Sequence, residues 1–579
     1  MYMEYKNMVL KYIENVKLCE KYRFNIDDNQ TKENLINQLI DNNIKINEIF
    51  SENNKLLNEL FYNYKNLELM GDEEYNNLKY FSQELFDKLY DEDFGLIFEI
   101  CCLLTKYSHL YLDIEEQLEN EYNLSRLNFY LKINLYPYIK DAFKAYFSIN
   151  NDKYFKLSKN SRNYYIRLKS NIYCGSKPKN NEELSIKIES IKDFVKFIHC
   201  DNVTQFDDFP FDTWNRLALI NVNVPITAIR DGRIIPTNKD LLNLESLLKY
   251  YDLNLQFNNH YSRINYLLSY VTLMFHLNKI DLNTLIYSFN KMLEFKADGN
   301  EEELLATKLR IKSNIIMYLY NYGDDIEKCK HILNECMEKL DSCRELTKGI
   351  IFDRLYHAFA IEGIKLYGFD EYKEQLYKLM IHRHSVTFIH SSMVKEISSI
   401  LLEEYLNKYP KLKNKGFENI IIDCATFHDL GKYHIMPIIR INHRFLTTCE
   451  LEQIFLHPEY GLEFFKDIEV NKYIEEVVQF HHQSYDGTLG YPNKYNKEHS
   501  FILDIIKVAD CLDAASDHIG RPFNSRKKFD EIYYELKTFS GKQYAPNIVC
   551  LLEDDVFRNK LENKIRIYRE ELYYQKYIK

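Results

Sequence analysis

Glycine and proline are scarce, 16 and 11 among 579 residues. That argues against a turn-rich all-β fold and for helices, whose interiors both residues disrupt. Long apolar runs are missing too. The best candidate, Gly95–Leu104, contains Glu99 and falls far short of the roughly 20 residues that span a bilayer. Met1-Tyr-Met-Glu-Tyr-Lys leads into no apolar core, which is not a signal-peptide pattern. Positive charge is not in excess: the net charge is −11, which argues against a protein that coats a nucleic acid polymer. The 12 cysteines include no CxxC pair, and that suggests a reducing compartment, most simply the cytoplasm.

What is present reads as a soluble globular chain, 46% hydrophobic and 28% charged. Its length predicts about three or four units. The fold class expected is all-α, a multi-helical N-terminal region followed by a helical metal-binding domain. Residues 1–180 carry apolar residues three and four apart, as in Tyr80–Leu89 and Leu127–Phe147. Residues 181–240 change texture. Phe206–Trp214 and Ile229–Pro236 read as irregular or short extended structure in a connector. Residues 241–380 return to helices, open to a tetratricopeptide-like reading although their glycines keep no interval of about 34 residues. Cys329, Cys336 and Cys343 recur every seventh position, but Leu333 and Leu340 complete the same stripe, so core cysteines are expected. Residues 1–380 would sense, dock a protein partner or form a homodimer.

Residues 381–579 carry the chemistry. Eleven of the 17 histidines lie between His382 and His518. His390 shares a stripe with Val394, Ile397 and Leu401; His384 sits on another face and ranks second as a ligand. Ile421, Cys424 and His428 form a further stripe that ends in His428-Asp429, with Gly431 placed to stop the helix. Thr447–Glu450 reads as a capping box. In the next pair, Pro458 keeps His457 out of helical geometry and can open a new helix. Ile474, Val477, Val478, His481 and His482 share one face, and Leu503, Ile506 and Asp510 another. Five histidines and two aspartates exceed what one four-coordinate ion needs. They suit two divalent ions bridged by Asp429, a recurrent device for attack on phosphate esters. The alternative is a degenerate helical domain that keeps its histidines.

The order His390, His428-Asp429, His457, His481-His482, Asp510 resembles the HD phosphohydrolase superfamily and, within it, the HD-GYP phosphodiesterases of cyclic di-GMP. The resemblance covers roughly residues 384–552. It rests also on Lys432, His457-Pro458-Glu-Tyr-Gly461, Asp486-Gly487, Gly490-Tyr491-Pro492, Asp513-Ala514, Arg521-Pro522-Phe523 and Gly541 to Pro546. It implies a helical domain enclosing two or three metals, often iron or manganese. Lys432 and Arg521 would touch substrate phosphates, and Gly490, Tyr491 and Pro492 would meet the nucleotide.

The sequence departs from that pattern at several places. Gln483 stands where glutamate is usual, so it could not polarise a ligand imidazole as a carboxylate would. One extra residue separates Asp486-Gly487 from Gly490-Tyr491-Pro492, and two more lie between Asp510 and Arg521. A basic residue is usual near Asn524. Val386 replaces the glutamate that would hold a third metal, so two ions are expected. The reading is a metal-dependent phosphodiesterase acting on a cyclic dinucleotide. The alternatives are another nucleotide substrate and a non-catalytic receptor or scaffold.

Overall fold

The computed structural model describes the chain except residues 1, 25, 27–29, 91, 128–138, 175–177, 179, 201–221, 231–233, 253–259, 297–300, 344–349, 384, 414, 467, 493–498, 522–526 and 579. Among the described residues the chain is helical; the one extended pairing is an isolated bridge between Ser540 and Tyr544. No described helix is long and apolar enough to cross a membrane. The chain divides into two compact units, Met1–Tyr62 with Gly349–Lys579, and Asn63–Lys348.

The Asn63–Lys348 unit is a succession of helices packed on their chain neighbours. Helix Phe94–Tyr111 lies against Ile114–Arg126, and the latter against Lys159–Cys174. Glu121 is fully buried at the first of these junctions. Its carboxylate accepts from the Ala145 and Tyr146 amides at 2.7 and 2.9 Å and lies 2.8 Å from His109 Nε2. Burial pushes the Glu121 carboxyl up, and the bonds from His109, Tyr146 and Ala145 partly offset that. In helix Ile326–Ser342, Cys329, Leu333, Cys336 and Leu340 are all buried on one stripe, and Cys343 caps its end. The connector expectation needs correction. Residues 181–200 form a helix with Leu184, Ile188 and Ile191 buried at helical spacing, and residues 222–230 are helical too. Spacings of three and four there match a helical face, and no alternation of period two competes. Phe206–Trp214 lies outside the described residues.

The other unit joins the two ends of the chain. Its first element, Tyr2–Phe24, pairs with Lys32–Leu60. The second helix begins where the Thr31 hydroxyl accepts from the Asn34 amide, an N-cap. Leu35, Leu39, Ile46, Ile49, Leu57 and Leu60 line its buried face. This hairpin packs on the C-terminal helix Asp555–Ile578 and on the segment around residues 440–445. Arg23 Nη1 donates to the Arg440 carbonyl at 3.0 Å, Asn53 Nδ2 to the His443 carbonyl at 3.0 Å, and Phe50 meets Phe445 edge-on at 4.7 Å. Between them, helices Ser385–Lys408, Phe417–Phe427, Lys472–Phe480 and Phe501–Ser516 pack together and carry the histidine cluster.

Candidate metal centre

His390, Val394, Ile397 and Leu401 are all buried along helix Ser385–Lys408, so the imidazole is delivered by the same stripe that binds the helix to the core. Helix Phe417–Phe427 ends one residue short of His428. The chain then turns into a short 3-10 helix, Leu430–Ile435. Gly431 therefore does not terminate the helix by a left-handed turn, as the sequence suggested. Its requirement is space: a Cβ there would sit 1.7 Å from the His457 carbonyl oxygen. His457 is the first residue of helix His457–Leu462, with Pro458 in its opening turn. The expectation that proline would hold His457 outside the helix is thus corrected: the bias against helical geometry before proline is a preference that the packing overrides here, and Pro458 costs nothing in a first turn, whose N–H groups have no intrahelical acceptor. The capping box is present, with Thr447 Oγ1 bonded to the Glu450 amide and the Glu450 carboxylate to the Thr447 amide. Glu450 is also held by Arg444 through two 2.9 Å bonds, both side chains being fully buried.

These elements bring the seven expected ligands into two adjoining groups, Asp429 with His457, His481 and His482, and His390 with His428 and Asp510. Asp429 joins them. Its Oδ1 lies 3.3 and 3.5 Å from the Nε2 atoms of His457 and His481, and its Oδ2 lies 3.6 and 3.5 Å from those of His390 and His428. Asp510 Oδ1 is 3.0 Å from His390 Nε2. One carboxylate oxygen thus faces each group, the arrangement of a bridge.

The ionisation states suit a cation. Burial pushes the His428 imidazole down to about 4 and lowers those of His457 and His482, favouring neutral rings. Burial alone would raise the Asp429 carboxyl, but Lys432 and the surrounding imidazoles hold it well below the usual carboxylate range. Burial opposes ionisation of Asp510 in the same way and is outweighed by His390. His428 Nε2 and Asp429 Oδ1 are buried with no hydrogen-bond partner. Burial would lower the His390 imidazole, but Asp510 and Asp513 raise it. Neutral rings at His428, His457 and His482, ionised carboxylates and donor atoms left for something else to satisfy fit a divalent transition ion.

The outer contacts were the part the sequence did not disclose. Four rings of the cluster are oriented through Nδ1. His428 bonds the Ala425 carbonyl at 2.7 Å, His457 the Ile454 carbonyl at 2.7 Å, His481 the Val477 carbonyl at 2.9 Å and His390 the Asp513 carboxylate at 2.6 Å. Each bond presents Nε2 to the centre. Asp513 is in turn held by Arg569 Nη2 at 2.7 Å, from the C-terminal helix. Its place one turn beyond Asp510 on the same helix was the available signal; nothing in the sequence pointed to Arg569.

Position 483 makes no contact with an imidazole of the cluster, as expected of glutamine there. Gln483 is buried and its Nε2 donates to the Pro492 carbonyl at 3.2 Å, so it ties the histidine pair to the turn and orients no ligand imidazole. The extra residue is ordered as well: the Ser484 amide bonds the Leu489 carbonyl at 2.9 Å, and the Leu489 amide the Ser484 hydroxyl at 2.8 Å. At Gly490, φ is +87° and a Cβ would meet the His482 carbonyl at 2.0 Å. Tyr491 lies over His482, ring centroids 4.7 Å apart, and Pro492 follows it. Lys432 pairs with Asp429. Arg521 lines an open cavity of about 390 Å³ together with His481, His482, Lys507, Asp510 and Lys527. Lys507 Nζ, in that wall, donates to the Gln483 carbonyl. His384, Pro522, Phe523 and Asn524 lie outside the described residues.

The family model for the HD domain matches residues 387–515. A cyclic di-GMP phosphodiesterase of Thermotoga maritima is 28% identical over 224 residues, 37% of this chain and 57% of that protein. The cyclic di-GMP phosphodiesterase response regulator RpfG of Xanthomonas campestris pv. campestris is 30% identical over 138 residues, 23% of this chain and 35% of that protein. The chain therefore spans little more than half the length of the first of these relatives and about a third of the second. The matched segment begins three residues before His390 and ends five after Asp510, so it encloses all seven donors. The similarity to the HD domain family is thus confined to residues 387–515, the segment that carries the histidine cluster.

Proposed function

We propose that this chain is a metal-dependent phosphodiesterase that hydrolyses a cyclic dinucleotide, cyclic di-GMP before others. The observation that carries the reading is Asp429, which turns one carboxylate oxygen to each of two neighbouring donor groups. Two ions, iron or manganese, would be held by His390, His428, Asp429, His457, His481, His482 and Asp510. They would supply Lewis-acid activation of water and offset charge on the phosphodiester. The chain's own part is to bind and place the substrate. Arg521, Lys507 and Lys527 put cationic groups on the wall of the cavity that His482 and Asp510 also line, where they would receive phosphate oxygens. Lys432 would act from the Asp429 side, and Gly490, Tyr491 and Pro492 would bound the base. The names of both relatives support the substrate class. The Asn63–Lys348 unit would regulate the centre or engage a protein partner, including a second copy of the chain.

A non-catalytic nucleotide receptor is the second reading, favoured by the added residue in the ordered turn from Ser484 to Leu489. Anaerobically purified protein, with its metal content measured, should be assayed against a panel of cyclic dinucleotides. Turnover that scales with occupancy of two ions is expected. Tight binding of cyclic di-GMP without turnover at full occupancy would replace the enzyme with the receptor.

A further inference from the structure

A second set of donors lies in the same compact unit, apart from the seven residues above. One ring nitrogen each of His357 and His434 and one carboxylate oxygen of Glu463 all lie within 4.8 Å of one another. They come from three elements: helix Ile350–Tyr367, the 3-10 helix Leu430–Ile435, and the turn Glu463–Phe465 that follows helix His457–Leu462. The histidines are half-buried and Glu463 is exposed, so an ion could enter and leave from solvent.

The rings are held in place by aromatic neighbours. His434 stacks on Tyr460 with centroids 4.0 Å apart and planes 20° apart. His357 stands edge-on to Phe464 at 4.9 Å and nearly perpendicular to His434, centroids 4.8 Å apart. His434 Nδ1 and His357 Nε2 face each other at 3.4 Å. That is long for a hydrogen bond, whose heavy atoms usually sit about 2.7–3.2 Å apart. It is the spacing of two imidazoles on one tetrahedral ion, because two bonds of about 2.0–2.1 Å at the tetrahedral angle set their nitrogens about 3.3–3.4 Å apart. Two histidines and a glutamate are also a donor set that zinc takes with its fourth position left to water.

We propose that His357, His434 and Glu463 bind one divalent transition ion of the zinc class, additional to the ions of the Asp429 centre. The site ties helix Ile350–Tyr367 to the two segments that supply Lys432 and His457, since His434 lies two residues beyond Lys432 and Glu463 six beyond His457. The same helix is already anchored one turn earlier, where Asp353 pairs with Arg440 at 3.3 Å. An ion there adds a second, exchangeable clamp and makes the rigidity of the Lys432 segment depend on metal supply. The inference stands whether or not the Asp429 centre is a hydrolase.

The test uses the full-length chain and zinc alone. Crystals soaked in zinc should give an anomalous peak among His357, His434 and Glu463, distinct from those at Asp429. In solution, His434→Ala and His357→Ala should each lower zinc content by one ion per chain while the peaks at Asp429 stay. Zinc should raise Tm in the wild type and fail to do so in these variants. Glu463→Gln, at an exposed position that leaves the packing alone, should weaken zinc at this site at least tenfold, and it decides the matter if the histidine variants do not fold. No peak there in crystals whose Asp429 centre is filled, or unchanged zinc stoichiometry and affinity in Glu463→Gln, would overturn the proposal.

Discussion

Single atoms decide much of the centre. Asp429→Ala is expected to abolish turnover and to lower bound metal toward zero, since one carboxylate serves both donor groups; metal analysis beside an activity assay checks this. Asp513→Ala removes the partner of His390 Nδ1 and leaves Arg569 facing a gap. Loss of such an outer contact costs about 10- to 100-fold in metal affinity or activity. A titration of the full-length variant with manganese should show the affinity loss, and Asp513→Asn, which keeps an oxygen toward the ring, should recover part of it. Gln483→Glu is expected to bring no gain in metal affinity, because the side chain reaches the Pro492 carbonyl and would set two oxygens against each other. Deleting Leu489 breaks both bonds that it shares with Ser484, so it should lower turnover. Higher turnover in the double change would show that the loop is degraded relative to its family. Burial pushes the thiols of Cys19 and Cys101 up to about 12. Neither should react with a thiol reagent at pH 8 in the native protein, and both should react once it is unfolded; peptide mapping after alkylation distinguishes them.

At the scale of elements, the close approach of the Leu430–Ile435 segment to the start of helix His457–Leu462 is the tightest joint. Gly431→Ala would force the His457 carbonyl away from a Cβ that has 1.7 Å of room. Overpacking of this kind typically costs about 1–3 kcal/mol, and here it displaces His457, a member of the proposed centre, as well. A lower Tm together with reduced metal content is expected; unchanged metal content would mean that the two segments part without moving His457. The capping box at Thr447 and the stripes leading to His390 and Asp510 were legible because they depend on residues three, four and seven apart. The conformation at His457 was not, because the local bias before proline is overridden by packing against a distant segment. Nor was the role of Gly431, since its neighbour lies 26 residues away along the chain.

On the scale of the whole molecule, the two ends of the chain make one unit around the centre. Asn53 is fully buried and bridges Asn15 and the His443 carbonyl. Asn53→Leu leaves that carbonyl without its donor, and an unsatisfied buried group costs about 1–3 kcal/mol. Thermal unfolding should therefore show a lower Tm although the substitution lies nearly 400 residues from the segment it supports. A fragment of residues 375–579 would lack both the N-terminal hairpin and helix Ile350–Tyr367. It is expected to be poorly soluble alone and to gain solubility when residues 1–62 are co-expressed. If it folds alone with full metal content, the hairpin is an accessory.

The sequence by itself determined the helical class, seven histidine and aspartate residues that gather in the structure, and the burial of Cys329 and Cys336, though not of Cys343. Most of these follow from composition or from a period that the backbone geometry imposes within one helix; His457 followed from the motif it stands in. Tertiary structure decided which carboxylate oxygen faces which group, which atoms orient the imidazoles, and what Gln483 touches. It also decided that residues 1–62 belong with residues 349–579, and that His357, His434 and Glu463 meet. These depend on contacts between segments far apart in the chain, and periodicity within a helix carries no information about which distant segment will pack against it.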